Sequence, residues 1–167
     1  MHRFRYFILS AVLLAADQIS KALVVRFIPP YSVAWSFGRD FFRLIHVRNT
    51  GVAFSMGSGV SEAARIGLFI IVPLLVLAAV GVYLTAAREL TTGQRWTLAA
   101  VLGGGLGNQI DRIFRPEGVV DFLDFKFYGL FGLERWPTFN VADASLVVSS
   151  LVLVILLIRQ EAAARRS

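Results

Sequence analysis

The sequence contains no cysteine, only two histidines and few charged residues, which make up 17% of its 167 residues. Without cysteine, disulfides and thiolate chemistry are excluded. A zinc site needs several nitrogen or sulfur ligands at close spacing, whereas His2 and His46 lie far apart in unlike segments. Carboxylates alone could hold magnesium, so the residue count leaves that kind of site open. From the sequence we expect no metal and no other cofactor.

Long apolar runs are what the chain has in abundance. Hydrophobic residues make up 56% of it, and its mean hydropathy is +0.66. These values are typical of integral membrane proteins, so membrane lipid is an expected partner. The net charge of +6 could indicate nucleic-acid binding, but basic clusters interleaved with aromatic residues are missing, and membrane proteins are often basic in their cytoplasmic flanks. We therefore expect no nucleic-acid partner.

Four apolar stretches approach the length of about 20 residues that a membrane-spanning helix needs. They cover residues 4–25, 66–86, 96–114 and 139–158. The first could be mistaken for a cleavable signal peptide, but it carries Asp17 and Lys21 and no small-x-small cleavage site follows it. Ser61 is a candidate N-cap for the second stretch, and Pro73 predicts a kink in it. The sequence thus predicts an all-α integral membrane protein with four transmembrane helices, forming a single membrane domain over residues 1–167.

The basic residues beside these stretches indicate how the chain is oriented in the membrane. An even number of spans places both termini on one side of the membrane. Basic residues are denser on that side than on the other; they are Arg3, Arg5, Arg88, Arg95, Arg159, Arg165 and Arg166. The positive-inside rule therefore predicts that both termini are cytoplasmic.

The first external loop, residues 26–65, is long for a four-span protein. Residues 41–48 alternate partly between apolar and polar side chains, and residues 49–51 read as a turn. Residues 52–55 could form the returning strand. We therefore predict a small β-sheet in this loop, on the outer surface of the membrane. The alternative is an irregular apolar loop that rests on lipid headgroups.

Polar side chains interrupt the apolar stretches, where ionisable groups are costly and point to function. Asp17 and Lys21 are four residues apart, in the acid-first order that favours pairing on one helix face, so we interpret them as a buried structural pair. Asn108, Asp111 and Arg112 also share one helix face. An ion pair between the last two is the simplest interpretation, but Asn108 adds an amide that could hold the backbone of an extended peptide.

Two further acids come near the predicted third and fourth helices. Asp121 is flanked on both sides by large apolar residues, which is unusual for a solvated loop charge, whereas we expect Asp124 to be a surface acid. Asn140 and Asp143 have the same one-face spacing at the start of the fourth helix. If Asp121 and Asp143 come together, one carboxyl can activate water while the other donates a proton.

Five motifs follow one another along nearly the whole chain. They are Asp17-Gln-Ile-Ser-Lys21, Asn49-Thr-Gly-Val-Ala-Phe54, Gly104-Gly-Leu-Gly-Asn108-Gln-Ile-Asp111-Arg112, Val119-Val-Asp121-Phe122 and Phe139-Asn140-Val-Ala-Asp143. In this order they resemble the lipoprotein signal peptidase (signal peptidase II) family of bacteria. Each motif is weak by itself, but five in this order are specific. The segment between the two acids is somewhat long for the family, with residues 126–135 as the insertion.

The resemblance implies an intramembrane aspartyl endopeptidase of the bacterial inner membrane, with its active site at the periplasmic face. Such enzymes remove the signal peptide from prolipoproteins immediately before the diacylglyceryl-modified cysteine. Carried over to this chain, the family's pattern gives catalytic Asp121 and Asp143, substrate-binding Asn49, Asn108, Arg112 and Asn140, and supporting Asp17, Lys21 and Asp111. It also implies four transmembrane helices with a small periplasmic sheet, and inhibition by globomycin-type cyclic peptides. We expect a monomer.

Three alternative functions would use the same acidic residues. The main alternative is a small proton-coupled transporter, although its acids would be expected near the midplane rather than near one face. A magnesium-dependent lipid-modifying enzyme lacks a phosphate-handling motif here. A purely structural four-helix protein gives no reason for paired acids beside asparagine and arginine.

Overall fold

Helices make up most of the chain in a computed structural model, which describes residues 4–50 and 61–165. A 3₁₀ turn at Phe4–Tyr6 leads into the first helix. The α-helices are α1 (Phe7–Phe27), α2 (Glu62–Ile66), α3 (Val72–Ala86), α4 (Thr92–Phe114) and α5 (Val141–Ala164). Three strands complete the fold: β1 (Val33–Phe37), β2 (Phe42–Asn49) and β3 (Val119–Phe125).

Local sequence sets several helix boundaries. Ser61 caps α2, as predicted, by accepting a hydrogen bond from Ala64 N. A π-helical segment, Gly67–Ile71, joins α2 to α3 just before Pro73. Because proline has no N–H, it cannot continue the regular ladder, and a widened turn accommodates the loss. The helix expected from residue 96 begins at Thr92, because Thr91 and Gln94 form a capping box.

Three helical segments in the described residues are long and apolar enough to cross a membrane. They are Phe4–Phe27, Ala63–Ala86 and Val141–Ala164. The fourth predicted span lies in α4, which packs against α1, α3 and α5. A helix enclosed by protein does not need an apolar surface all round, and α4 buries its glycines and several polar residues.

Glycines bring the neighbouring helices close to α4. A Cβ atom at Gly103 would lie 2.7 Å from Ser10 O of α1, and one at Gly104 would lie 2.6 Å from Ala142 O of α5. Both contacts leave no room for a side chain. The close helix packing predicted from the glycine spacing is therefore confirmed at this crossing.

The sheet differs from the prediction in one respect. Strand β2 matches the predicted strand, and β1 pairs with it within the first loop. However, β3 comes from the segment between α4 and α5, and it pairs antiparallel with β2 to give the order β1-β2-β3. The prediction of a sheet formed by the first loop alone was wrong, because β2 recruits a strand about seventy residues further on. The returning strand expected at residues 52–55 lies outside the described residues.

The sheet is fixed to one end of the helical bundle. Val120 and Phe122 of β3 pack in one cluster with Val24 and Ile28, where α1 ends. Asp121 lies between these two apolar residues and contacts Asn140, the N-cap of α5. The preceding Val120 N donates to Asp111 near the C-terminal end of α4.

Asp124 is not the surface acid that was expected. Its residue is 2% exposed, and its Oδ2 accepts from Arg43 Nη2 at 2.6 Å and from Arg135 Nε at 2.8 Å. Arg43 is its direct cross-strand partner. The register of β2 against β3 therefore places Asp124 beside Arg43, so that this acid forms buried ion pairs within the sheet.

Candidate active site

Asp121 lies in the middle of β3 and is 2% exposed. Both of its carboxyl oxygens accept hydrogen bonds from amides. Asn49 Nδ2 donates to Oδ2 at 3.0 Å, and Asn140 Nδ2 donates to Oδ1 at 2.7 Å. Strand β2 supplies the first amide and the start of α5 supplies the second, so three separate segments fix this carboxyl.

Asp143 lies in the first turn of α5 and forms a capping box with Asn140. Asn140 Oδ1 accepts from Asp143 N at 2.9 Å, and Asp143 Oδ2 accepts from Asn140 N at 3.2 Å. Asn108 Nδ2 of α4 donates to the other carboxyl oxygen at 2.7 Å. A capping box fixes the local direction of a side chain. The same contacts that start α5 thus hold the Asp143 carboxyl in place.

Asn140 joins the two acids. Its fully buried amide donates to Asp121 and accepts from the backbone of Asp143, and the same Nδ2 lies 3.1 Å from Asn108 Oδ1. The structure therefore brings together the two acids that the sequence analysis singled out. It also shows that the side-chain amides of Asn108 and Asn140 donate hydrogen bonds to these carboxyls, Asn108 to Asp143 and Asn140 to Asp121.

Asp121 has a strongly perturbed pKa. Burial raises the pKa of its carboxyl to about 7, and the neighbouring negative charge of Asp143 acts in the same direction. The hydrogen bonds from Asn49 and Asn140, together with the charge of Lys21, oppose this rise. Asp121 can therefore hold a proton near neutral pH, where an ordinary aspartate is ionised.

Lys21 occupies the centre of a buried polar cluster behind the two acids. Its Nζ lies 2.8 Å from Asp17 Oδ2 and 3.1 Å from Asp111 Oδ2, and all three side chains are fully buried. It also donates to Asn108 Oδ1 at 3.0 Å. The pairing of Asp17 with Lys21 is as the spacing predicted, but Asp111 pairs with Lys21 rather than with Arg112.

The two carboxylates of this cluster also hold backbone on the site side. Asp17 Oδ1 accepts from Ala142 N at 2.9 Å, in the first turn of α5. Asp111 Oδ2 accepts from Val120 N at 3.1 Å, next to Asp121. The cluster thus ties α1 and α4 to the two backbone segments that carry the acids.

Arg112 projects toward an open cavity rather than into the buried cluster. Its guanidinium lies over the Phe69 ring, 5.8 Å from the centroid. A cavity of about 480 Å³ lies beside it, and Asn49 and Arg112 are among its lining residues, with Arg65 and Arg115 adding further positive charge. Of the four predicted substrate-binding residues, these two face open space, whereas Asn108 and Asn140 are buried.

Two residues of the site were missed in the sequence. Gln18 Nε2 donates to Gly107 O at 3.0 Å and to Asp111 Oδ1 at 3.2 Å. Arg115 Nε lies 3.2 Å from the same Asp111 oxygen. The i,i+4 spacing of Arg115 from Asp111 could have identified Arg115. Gln18 lies within the motif that runs from Asp17 to Lys21, but the sequence analysis gave it no role. In the described part of the chain, no group of three or more potential ligand side chains could hold a metal ion.

Comparison with known proteins gives the family. The family model described as signal peptidase (SPase) II matches residues 9–159. The chain belongs to the signal peptidase II family. A lipoprotein signal peptidase of Treponema denticola is 49% identical over 155 residues, covering 92% of this chain and 88% of the relative. One of Borrelia garinii subsp. bavariensis is 47% identical over 152 residues, covering 91% and 88%.

Solved structures show the same fold. A bacterial membrane enzyme solved by the in meso method at 1.9 Å resolution superposes with a TM-score of 0.76 at 24% identity, over 92% of each chain. A second, at 2.3 Å resolution, gives a TM-score of 0.78 at 24% identity, over 94% of this chain and 89% of the other. This signal peptidase II family member is therefore built like known membrane enzymes.

Proposed function

We propose that the chain removes signal peptides from prolipoproteins, cutting immediately before the diacylglyceryl-modified cysteine, with Asp121 and Asp143 as the catalytic dyad. The observation that carries this proposal is the contact of both carboxyls with Asn140, whose side-chain amide donates to Asp121 Oδ1 and whose backbone N donates to Asp143 Oδ2. Family membership supports the peptidase activity. The transporter alternative finds no support, because the curated relatives that match nearly the whole chain are lipoprotein signal peptidases.

The raised pKa of Asp121 supports different roles for the two acids in this proposal. Asp121, with its pKa raised to about 7, is the acid that donates a proton to the scissile carbonyl oxygen. Asp143 is the base that takes a proton from water while the water oxygen bonds to the carbonyl carbon. When the tetrahedral intermediate collapses, the C–N bond breaks and Asp143 gives its proton to the leaving nitrogen. The hydroxyl that received the proton of Asp121 returns it to Asp121 as the carbonyl forms again. No metal takes part in this sequence.

The remaining site residues divide into two groups. Arg112 and Asn49 line the open cavity, so they are the substrate contacts in this proposal. Asn108 and Asn140 are positioning residues, because their amides already hold the two carboxyls. The buried ion pairs of Lys21 with Asp17 and Asp111 support the positioning residues, because Lys21 also donates to Asn108. Substrate binding by all four polar side chains, as the resemblance implied, would require the buried amides to give up these bonds.

We further propose that α4 crosses the membrane as a fourth span, shielded from lipid by α1, α3 and α5. Both termini are then cytoplasmic, and the site lies at the periplasmic face of the inner membrane, where a translocated prolipoprotein presents its cleavage region. Globomycin-type cyclic peptides inhibit the enzyme by entering the cavity beside Arg112, and the enzyme acts as a monomer.

The test is cleavage of a purified prolipoprotein in lipid nanodiscs, with and without the diacylglyceryl group on its cysteine. We expect cleavage of the lipidated substrate only, with product masses that place the cut directly before the modified cysteine. A chelator should leave the rate unchanged. Equal cleavage of the unlipidated substrate, or a cut elsewhere, would contradict the proposed substrate class.

A further inference from the structure

A short hairpin between β3 and α5 points large apolar side chains outward. Lys126 and Arg135 form an isolated antiparallel bridge at its base. At the tip, Phe131 is 81% exposed and Tyr128 is 64% exposed, and Leu130 is exposed beside them. Hydrophobic side chains grouped in this way on an outer surface indicate an interaction site. We call residues 126–135 the apolar hairpin.

The tip of the apolar hairpin holds its rings outward at a conformational cost. Tyr128 has φ of 52° and Phe131 has φ of 55°, in the left-handed region that large L-residues avoid. A large residue keeps this conformation only when the surrounding structure holds it there. Neither ring is buried in return. Strain that folding does not explain points to a function for the exposed rings.

Exposed apolar side chains connect this hairpin to the lipid-facing surface of the protein. They run from the end of α1, which is a candidate membrane span, through the edge strand β1, and they are Phe27, Tyr31, Val33, Trp35 and Phe37. The turn after β1 contacts the hairpin base, because Lys126 N donates to Phe41 O at 2.8 Å and Arg135 Nη1 donates to Asp40 O at 3.1 Å. Exposed apolar side chains therefore extend from the end of a candidate membrane helix along β1, and the turn after β1 contacts the hairpin base.

The base of the hairpin is polar where the tip is apolar. Lys126 Nζ lies 3.4 Å from Glu134 Oε1 and 5.3 Å from the centroid of the Tyr128 ring. Aromatic rings next to charged groups are typical of the boundary between lipid headgroups and acyl chains, where a ring can be buried while the charges stay in water.

We propose that the apolar hairpin inserts its tip into the lipid leaflet next to the active site, with Phe131 at the level of the upper acyl chains and Lys126 and Glu134 among the headgroups. The partner is the lipid surface itself. The hairpin then holds the far end of the sheet, and with it Asp121, at a fixed depth in the leaflet. The proposal requires that α1 lie in a membrane, and it is independent of the catalytic dyad.

The absence of cysteine from the chain allows a direct depth measurement. A single cysteine introduced as Phe131→Cys carries one nitroxide label in the full-length protein, reconstituted in nanodiscs of phosphatidylethanolamine and phosphatidylglycerol. Power-saturation EPR then compares collisions with oxygen, which concentrates in lipid, and with a water-soluble nickel complex. Glu134→Cys, at an exposed polar position of the same hairpin, is the matched control, and Tyr128→Cys is a second probe of the tip.

We expect the labels at 131 and 128 to collide more with oxygen and less with the nickel complex than the label at 134. Nickel collisions equal to those of the control would place the tip in water and overturn the proposal. Labels shielded from both reagents would show that a second copy or another protein covers the tip, which also overturns it. A thermal unfolding midpoint equal to that of the unlabelled protein shows that each variant is folded. The outcome does not depend on prolipoprotein cleavage, so it is separate from the test of the proposed function.

Discussion

The perturbed pKa of Asp121 gives a quantitative prediction for Asn49→Leu. Asn49 Nδ2 donates to Asp121 Oδ2 at 3.0 Å, and this bond lowers the pKa of a carboxyl that burial raises to about 7. A hydrogen bond to a charged group contributes about 1.5–3 kcal/mol, and 1.36 kcal/mol corresponds to about one pKa unit. Without the bond, the ionised carboxyl loses the donor to Oδ2 and keeps Asn140 at Oδ1, so the pKa of Asp121 should rise by about one unit or more.

The assay is the pH dependence of kcat/KM for lipidated prolipoprotein, which reports the titrating groups of the free enzyme. If Asp121 is the proton donor, activity falls as pH rises through its pKa, so the wild-type alkaline limb should lie near pH 7. In Asn49→Leu this limb should move to higher pH, although the rate itself falls because Asn49 also lines the cavity. Ser32→Ala, in the same loop, removes a hydroxyl that donates to Pro29 O and should leave the limb in place. An unmoved limb in Asn49→Leu, or one moved to lower pH, would refute the reasoning.

Three further predictions concern the surroundings of the acids. Lys21→Met removes the buried ammonium that Asp17 and Asp111 share, and leaves Asp111 with Arg115. It should lower the free energy of unfolding by about 3–5 kcal/mol, measured by denaturant titration in detergent, whereas Lys126→Met at the surface should cost less than about 1 kcal/mol. Asp124→Asn should lower the thermal unfolding midpoint, because it weakens the ion pairs with Arg43 and Arg135. The kcat of the folded fraction should stay unchanged. A large fall in kcat would mean that Asp124, rather than Asp121, is the catalytic acid of β3. Gly104→Ala should destabilise the fold and reduce activity because its Cβ meets α5 backbone, whereas Gly81→Ala, with open space around it, should be neutral or stabilising in the same unfolding assay.

Local patterns in the sequence predicted much of this fold. The apolar stretches and Ser61 located the helices, and the i,i+4 spacing of Asp17 and Lys21 predicted their buried pair. The glycine spacing predicted the close helix crossing at Gly103. Each of these signals depends on residues within one or two turns of a helix, where sequence spacing determines which side chains are neighbours.

Features that depend on long-range pairing could not be predicted in this way. Strand β3 pairs with β2 although about seventy residues separate them in the sequence. A shift of one residue in their register would move every side chain of the strand to its opposite face. That register makes Arg43 the partner of Asp124, so a charge that resembled a surface acid is buried. Likewise, the bonds of Asn108 to Lys21 and to Asp143 join three helices, and no local pattern distinguishes such an amide from one that contacts substrate.

The dyad itself is tested most directly by single-turnover cleavage of lipidated prolipoprotein in nanodiscs with Asp121→Asn, Asp143→Asn and Glu134→Gln. The two aspartate variants keep the shape of the site and remove one carboxyl each, and Glu134→Gln makes the same kind of change at an exposed acid. We predict no detectable cleavage by either aspartate variant at any pH, wild-type cleavage by Glu134→Gln, and a folded thermal transition for all three. Cleavage at the wild-type rate by Asp121→Asn or Asp143→Asn would contradict the account.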